Sequence, residues 1–357
     1  MKGYKYIKGR GAQGHNDNSF TKYTEELRSD FLNYCHRTNE GVSSSKTKCI
    51  ETFPKTIINT IKSPDLGLQY SLNPYQGCEH GCVYCYARNS HEYWGYNAGL
   101  DFESKILVKK NAALLLASKL KSSAWKAAPI VLSGNTDCYQ PIEKNYEITR
   151  QLLEVFLKYR HPVSIITKNS LLLRDMDLLK RLNEHKLISI HLSITTLEES
   201  TKQILEPRTA SIRKRLQTLS ILKEHHIPTH IMMAPIIPSI NSHEILPLCK
   251  KVSELGADSI NYTMVRLNGA IGEIFTTWLE KTLPDRKEKI LNQIKACHNG
   301  TLNDSVYGRR MRGDGEIANQ IAQLFRIARI KYFKHKKTFP LNTSLHASYK
   351  SDQLRLF

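Results

Sequence analysis

The sequence predicts an α/β protein with a parallel sheet closed, or partly closed, into a barrel, preceded by a polar arm and followed by a basic helical extension. Three observations carry this. Between about residues 70 and 267, apolar β-rich runs alternate with helical patterns, and strand starts recur roughly every 25 to 40 residues, the length of one βα unit. The strands are apolar on both faces, as parallel strands covered by helices must be. After residue 270 the pattern turns purely helical.

In chain order, residues 1–69 read as a polar N-terminal arm, with Gly9-Arg10-Gly11 early, Ser43-Ser44-Ser45 later and one short helix around Thr24 to Cys35. The predicted strands are Leu68–Leu72, Pro129–Ser133, Val163–Thr167, Ile188–Thr195, Thr229–Ile236 and Asp258–Arg266. Between them the helical stretches are Lys109–Lys121, Lys144–Tyr159, Arg174–Glu184, Ile212–His225 and Ser242–Leu255. Six such units in one sheet suggest a barrel, and a doubly wound open sheet is the alternative that periodicity does not separate. Residues 268–357 carry the predicted helices Ile271–Lys281, Pro284–Cys297 and Gly315–Phe333.

The 357 residues hold 52 Lys and Arg against 33 Asp and Glu, a net charge of +19, which excludes an acidic solvating protein. The basicity is local, since residues 281–357 carry 16 cations and 6 acids for a net of +10. The N-terminus lacks an apolar signal core and no run approaches the length of a membrane span, so a soluble, cytoplasmic protein in a reducing compartment is expected. Disulfides are accordingly not expected from the eight cysteines.

Five of those cysteines are scattered, at 35, 49, 138, 249 and 297, whereas Cys78, Cys82 and Cys85 form C-x3-C-x2-C in one short loop. Gly77 and Gly81 allow that loop to wrap a cluster, and three thiolates leave a fourth iron open. A zinc knuckle is the competing reading. It needs a fourth ligand, for which His91 is the candidate, and no second C-x2-C exists.

With Tyr84 before the third cysteine, the motif placed after a first strand and followed by βα units resembles the radical S-adenosylmethionine superfamily over about residues 70–267. The resemblance implies a partial (β/α)6 TIM-type barrel. It also implies a [4Fe-4S] cluster on Cys78, Cys82 and Cys85, S-adenosylmethionine chelating the open iron, one-electron cleavage to a 5′-deoxyadenosyl radical, and a flavodoxin- or ferredoxin-type electron donor.

Carried over by position, Tyr84 is the aromatic set against the adenine. Ser133-Gly134-Asn135-Thr136-Asp137 stands where the family commonly binds the methionine amino group through a glutamate, absent here, so carbonyls near Gly134 or the side chains of Thr136 and Asp137 must replace it. Lys168 stands near the methionine carboxylate, Ser193 at the ribose, and Arg208 as a bidentate carboxylate partner. Apart from Arg208, which follows the fourth strand, these lie at strand C-terminal ends, where barrel active sites form.

The longer stretch from Ser71 to Arg88, with Thr136-Asp137-Cys138-Tyr139-Gln140-Pro141, resembles the branch related to spore photoproduct lyase, including DNA-repair-photolyase-like proteins. That family returns a hydrogen through a cysteine. The matching position here is Gly134, so Cys138, with Tyr139 as relay, is the nearest hydrogen-donor candidate.

DNA is the expected substrate. Arg309, Arg310 and Arg312 beside a Gly-rich turn, and Lys334, Lys336 and Lys337 interleaved with aromatics, suit phosphate contacts and base stacking. RNA, peptide or metabolite substrates, and a nucleic-acid-binding protein with a structural or redox-sensing cluster, are the alternatives. Finally, Gln353-Leu354-Arg355-Leu356-Phe357 resembles the peptide that docks bacterial repair proteins into the sliding clamp, with Gln353, Leu354, Leu356 and Phe357 as contacts.

Overall fold

A computed structural model describes residues 6–14, 16–20, 47–336 and 339–350. The strands, in chain order, are β1 Lys48–Thr52, β2 Ile58–Thr60, β3 Tyr70–Leu72, β4 Tyr75–Gln76, β5 Lys105–Lys109, β6 Ile130–Leu132, β7 Val163–Thr167, β8 Ile188–Ser193, β9 Thr229–Ile236 and β10 Ser259–Met264. Seven of them form the main sheet, in the order β10-β9-β8-β7-β6-β3-β2. From β3 to β10 every neighbouring pair is parallel.

Each βα unit therefore adds its strand on the same side of the last. A doubly wound sheet would reverse direction at a switch point, so the strand order decides for a barrel-type winding. Among the described residues β10 does not pair back onto β2, and the barrel is open.

The helices packed against this sheet are α1 Ala112–Lys121, α2 Ile148–Lys158, α3 Met176–Glu184, α4 Ile212–Glu224 and α5 Ile245–Glu254. Ile130, Leu132, Val163, Ile165, Ile188 and Ile190 face them and join Leu152, Phe156, Leu179 and Leu182 in one buried cluster. The alternate strand positions face inward, and they are largely polar. Ser71, Val131, Ser164 and Ser189 lie in one register row, and His191 is paired with His230 in another. Packed barrel interiors are normally filled by bulky branched residues, so this inner face is built for something other than packing.

The expected helix Lys144–Tyr159 is split. Glu147 takes a left-handed conformation, φ 51°, which ends a short helix at Tyr146 and starts α2 at Ile148. Within the expected N-terminal arm lie two strands: β1 pairs with β5 and β2 pairs with β3. β5, which sequence reasoning missed, joins β1 and β4 in a three-stranded sheet beside the barrel. The helix expected around Thr24 to Cys35 lies outside the described residues.

The C-terminal helices α6 Ile271–Thr282, α7 Lys287–Ala296 and α8 Gly315–Tyr332 follow the expected pattern. α8 covers the outer face of β10, where the Tyr262 and Phe325 rings stack at 4.0 Å. The free edge of β10 is capped by two arginine side chains and by the Met311 backbone. Arg312 Nη1 donates to Tyr262 O at 3.4 Å, Arg329 donates from Nε and Nη2 to Ile260 O at 3.2 and 3.0 Å, and Met264 N donates to Met311 O at 2.9 Å. Such capping keeps an exposed strand edge from pairing with another chain. No helix among the described residues is long and apolar enough to cross a membrane. The seven described cysteines are all free thiols.

Candidate active site

The three-cysteine loop leaves β4 and is bent by two glycines at positive φ, Gly77 at 82° and Gly81 at 65°. Neither tolerates a side chain. A Cβ would stand 2.9 Å from Lys105 O at Gly77 and 2.8 Å from Glu103 Oε2 at Gly81.

The loop is clamped from behind by a buried ion pair. Arg88, with no exposed surface, donates from Nη2 to Glu103 Oε1 at 2.5 Å and from Nε and Nη2 to Cys82 O at 3.1 and 2.9 Å. The same carboxylate accepts from Gly11 N and Ala12 N at 3.2 and 2.8 Å. The N-terminal Gly9-Arg10-Gly11 segment is thus part of the loop's foundation.

From the barrel side, Asp137 at the end of β6 is the strut. Its Oδ1 accepts from Thr167 Oγ1 at 2.8 Å and Tyr139 N at 2.9 Å, and its Oδ2 accepts from Lys168 N at 2.8 Å and meets His80 Nδ1 at 3.3 Å. Burial alone would raise the Asp137 pKa, but His80 and the amides outweigh it and hold the carboxyl below its ordinary range. Gln140 adds two contacts, accepting from Glu79 N at 2.9 Å and donating to Gly77 O at 3.1 Å.

The structure sorts the expected residues into those at the site and those spent on bracing it. Ser133 is left-handed at φ 72°, and its Oγ accepts from Cys138 N at 2.7 Å. Thr136 Oγ1 donates to Tyr75 O at 2.7 Å. Both side chains, like Asp137, are engaged, so what β6 offers a ligand is backbone, and the Gly134 carbonyl accepts from the Tyr86 hydroxyl. Arg208 reaches back to Glu79 Oε1 at 3.3 Å. Ser193 is buried on the inner face, and its carbonyl accepts from Arg215 Nη1 at 3.1 Å.

Cys138 and Tyr139 are not at the mouth. The Cys138 thiol is fully buried in the apolar core, which pushes its pKa well up, and Tyr139 OH donates to buried Asp175 Oδ2 at 3.0 Å.

Tyr84 and Lys168 do come together. The Lys168 ammonium lies 5.9 Å from the Tyr84 ring centroid. Burial would lower its pKa, but Cys82 and Glu206 raise it, so the ammonium stays charged. Behind them is a network that sequence reasoning did not identify. Fully buried Glu206 accepts from the Tyr84 hydroxyl and from Thr195 Oγ1 at 2.8 Å, and pairs with Arg215 Nη2 at 2.5 Å. Against the effect of burial, Arg215 and Lys168 hold its pKa down at about 2. This network fixes Tyr84, which lies between the second and third cysteines.

The donor set fits an iron–sulfur cluster. Burial, and also the neighbouring thiols, raise Cys78, and burial pushes Cys82 up to about 12, a state that a bound cation reverses by deprotonating its ligands. Among the described residues, the one group of three Cys, His or carboxylate atoms at single-ion spacing is Glu198, His243 and Glu244, outside the loop. The three thiols of the cysteine loop thus do not stand at single-ion spacing. His91, the candidate fourth zinc ligand, is fully buried with neither ring nitrogen hydrogen-bonded and is packed edge-on against Phe102.

Burial lowers the His91 pKa to about 4. The unfolded imidazole titrates near 6.5, so between about pH 6.5 and 4 the unfolded state binds the extra proton and stability falls as pH falls. Denaturant midpoints should drop across that window, and His91→Leu should flatten the slope. An unchanged slope would refute the assignment.

The comparisons with known proteins agree with this geometry. The family model of the Radical SAM superfamily matches residues 72–252. The chain belongs to this superfamily. An uncharacterised protein of Methanocaldococcus jannaschii is 33% identical over 251 residues, covering 70% of this chain and 89% of that one. An uncharacterised protein of Mycobacterium tuberculosis is 28% identical over 249 residues, covering 69% of this chain and 72% of its own length. A radical SAM Nalpha-GlyT isomerase of Pseudomonas phage M6 is 28% identical over 190 residues, 52% of this chain and 37% of the isomerase. Among solved structures, spore photoproduct lyase complexed with dinucleoside spore photoproduct superposes with a TM-score of 0.59 at 15% identity, over 80% of this chain and 79% of the lyase.

The superfamily uses a [4Fe-4S] cluster and S-adenosylmethionine. Cys78, Cys82 and Cys85 would hold the cluster, and Tyr84, Lys168 and the Gly134 backbone would border the S-adenosylmethionine. Bound and reduced, the pair supplies a 5′-deoxyadenosyl radical. The chain's part is to orient the loop through Arg88, Asp137 and Gln140, to fix Tyr84 through Glu206, and to hold one cation, Lys168, beside the thiols.

Proposed function

We propose that this radical SAM enzyme acts on DNA, in a repair or base-modification reaction. The observation that carries the reading is the likeness of its barrel, across 80% of the chain, to spore photoproduct lyase solved with a dinucleoside lesion. The polar inner face of the barrel and the net charge of +19 support it. The buried position of Cys138 argues that hydrogen return differs from that of the lyase, since fold does not carry reaction with it.

The test is 5′-deoxyadenosine production by anaerobically reconstituted, reduced protein, with and without ultraviolet-irradiated DNA. Stimulation by DNA is expected. Production that is indifferent to DNA would leave the superfamily standing and remove DNA as the substrate.

A further inference from the structure

The C-terminal end of β10 gathers four guanidiniums, and three of them have internal partners. Arg309 pairs with Asp304. Arg310 donates from Nε to Asp65 Oδ2 at 2.6 Å and from Nη2 to Ser63 Oγ at 2.5 Å. Arg312 caps the edge of β10.

The fourth is Arg266, which sequence reasoning did not single out. It is half-buried, and its side chain makes no hydrogen bond or ion pair among the described residues. Its surroundings explain why. The carboxylates that act on it, Asp65 and Asp304, are held by Arg310 and Arg309, and Arg310 itself acts on it as a like charge. A half-buried cation with no anion of its own is a standing cost that an incoming anion relieves.

Exposed aromatic rings belong to the same surroundings. Tyr86, directly after Cys85 and 51% exposed, acts on the Arg266 guanidinium. The Arg310 guanidinium, which also acts on Arg266, lies 4.3 Å from the ring centroid of Tyr307, which is 58% exposed. Cations combined with exposed aromatic rings are how proteins hold single nucleic-acid strands.

We infer that Arg266 anchors a backbone phosphate of a nucleic-acid strand laid across the barrel rim toward the cysteine loop, with Tyr307, backed by Arg310, as the platform for a neighbouring base. The inference rests on the DNA reading above. An acidic peptide would satisfy Arg266 alone, whereas the adjoining exposed ring favours a nucleic acid.

The experiment is a fluorescence-anisotropy titration of labelled oligonucleotides against the cluster-loaded protein over a series of salt concentrations. Arg266→Gln should weaken binding about tenfold, independent of sequence, and reduce the salt slope by about one. Arg266→Lys, which keeps the charge, should retain the slope. Tyr307→Ala should weaken single strands more than duplexes with the slope unchanged. Because Arg266 has no partner to lose, Arg266→Gln should melt no lower than wild type.

Wild-type affinity and slope in Arg266→Gln would overturn the inference and leave the DNA reading intact. A binding loss that tracks a lowered melting temperature, or a defect confined to S-adenosylmethionine affinity, would overturn it as well. A wild-type protein that cleaves S-adenosylmethionine yet has no affinity for DNA would remove both.

Discussion

Arg88→Met should give a protein that melts early and does not retain iron. The substitution keeps the volume but strands Glu103, a carboxylate with no exposed surface, beside the backbone amides of Gly11 and Ala12. Removing one partner of a buried pair costs about 3–5 kcal/mol, because the remaining charge has neither water nor its close partner. Here Arg10, which donates to the Glu103 carbonyl and acts on its carboxylate, offsets only part of the loss. The substitution also frees the Cys82 carbonyl, which accepts two of the Arg88 hydrogen bonds. The loop that presents the thiols loses its posterior clamp at the same moment. Thermal melting and iron per chain after anaerobic reconstitution measure the two effects. Arg88→Lys should recover part of the stability through its charge but not the fork of contacts to Cys82, Ala98 and Gly99. Wild-type iron content and melting in Arg88→Met would show that the pair is incidental to the loop.

How far the chain could be read in advance follows from where each signal resides. β7 and β9 fall at the expected boundaries, since the outward residues of each, Val163 and Ile165 in β7 and Ile231 and Met233 in β9, are buried apolar side chains recurring at every second position. β1 does not. Lys48-Cys49-Ile50-Glu51-Thr52 has no buried residue and is held by its register with β5, a partner more than fifty residues away. β5 was hidden because its apolar residues run almost directly into those of α1.

At the site, the three cysteines declare themselves by spacing, but the charges that position them do not. Arg215 stands beside Arg213 and Lys214, and nothing local marks it as the one that pairs with Glu206 in the interior. The basic segments teach the converse. Counting cations predicted an open anionic-ligand surface at Arg309, Arg310 and Arg312, yet Arg310 is neutralised by Asp65, 245 residues distant in sequence. Of the second segment, Lys334 and Lys336 are exposed, whereas Lys337 and the tail peptide 353–357 lie outside the described residues. Composition reports charge, and only the fold reports which charge is left over.

Cys82→Ala should abolish the visible absorption of the reconstituted cluster and with it 5′-deoxyadenosine formation. Two thiols do not retain a cubane whose fourth iron must stay open to S-adenosylmethionine, and no described Cys or His stands at single-ion spacing from the remaining two. The substitution is mild for the fold, because Cys82 is small, lies in a loop and contributes its carbonyl, not its thiol, to the Arg88 clamp. Melting temperature should therefore change little in the absence of metal while iron content collapses. Cys138→Ala supplies the opposite pattern. Its thiol sits in the core, so removal should cost about 1–2 kcal/mol through lost packing and leave iron and absorption unchanged. The two variants separate a thiol that holds metal from one that fills space. Retained iron with an unaltered spectrum in Cys82→Ala would exclude the loop as the cluster site, and loss of the cluster in Cys138→Ala would mean that the core behind β6, not the loop alone, shapes the metal centre.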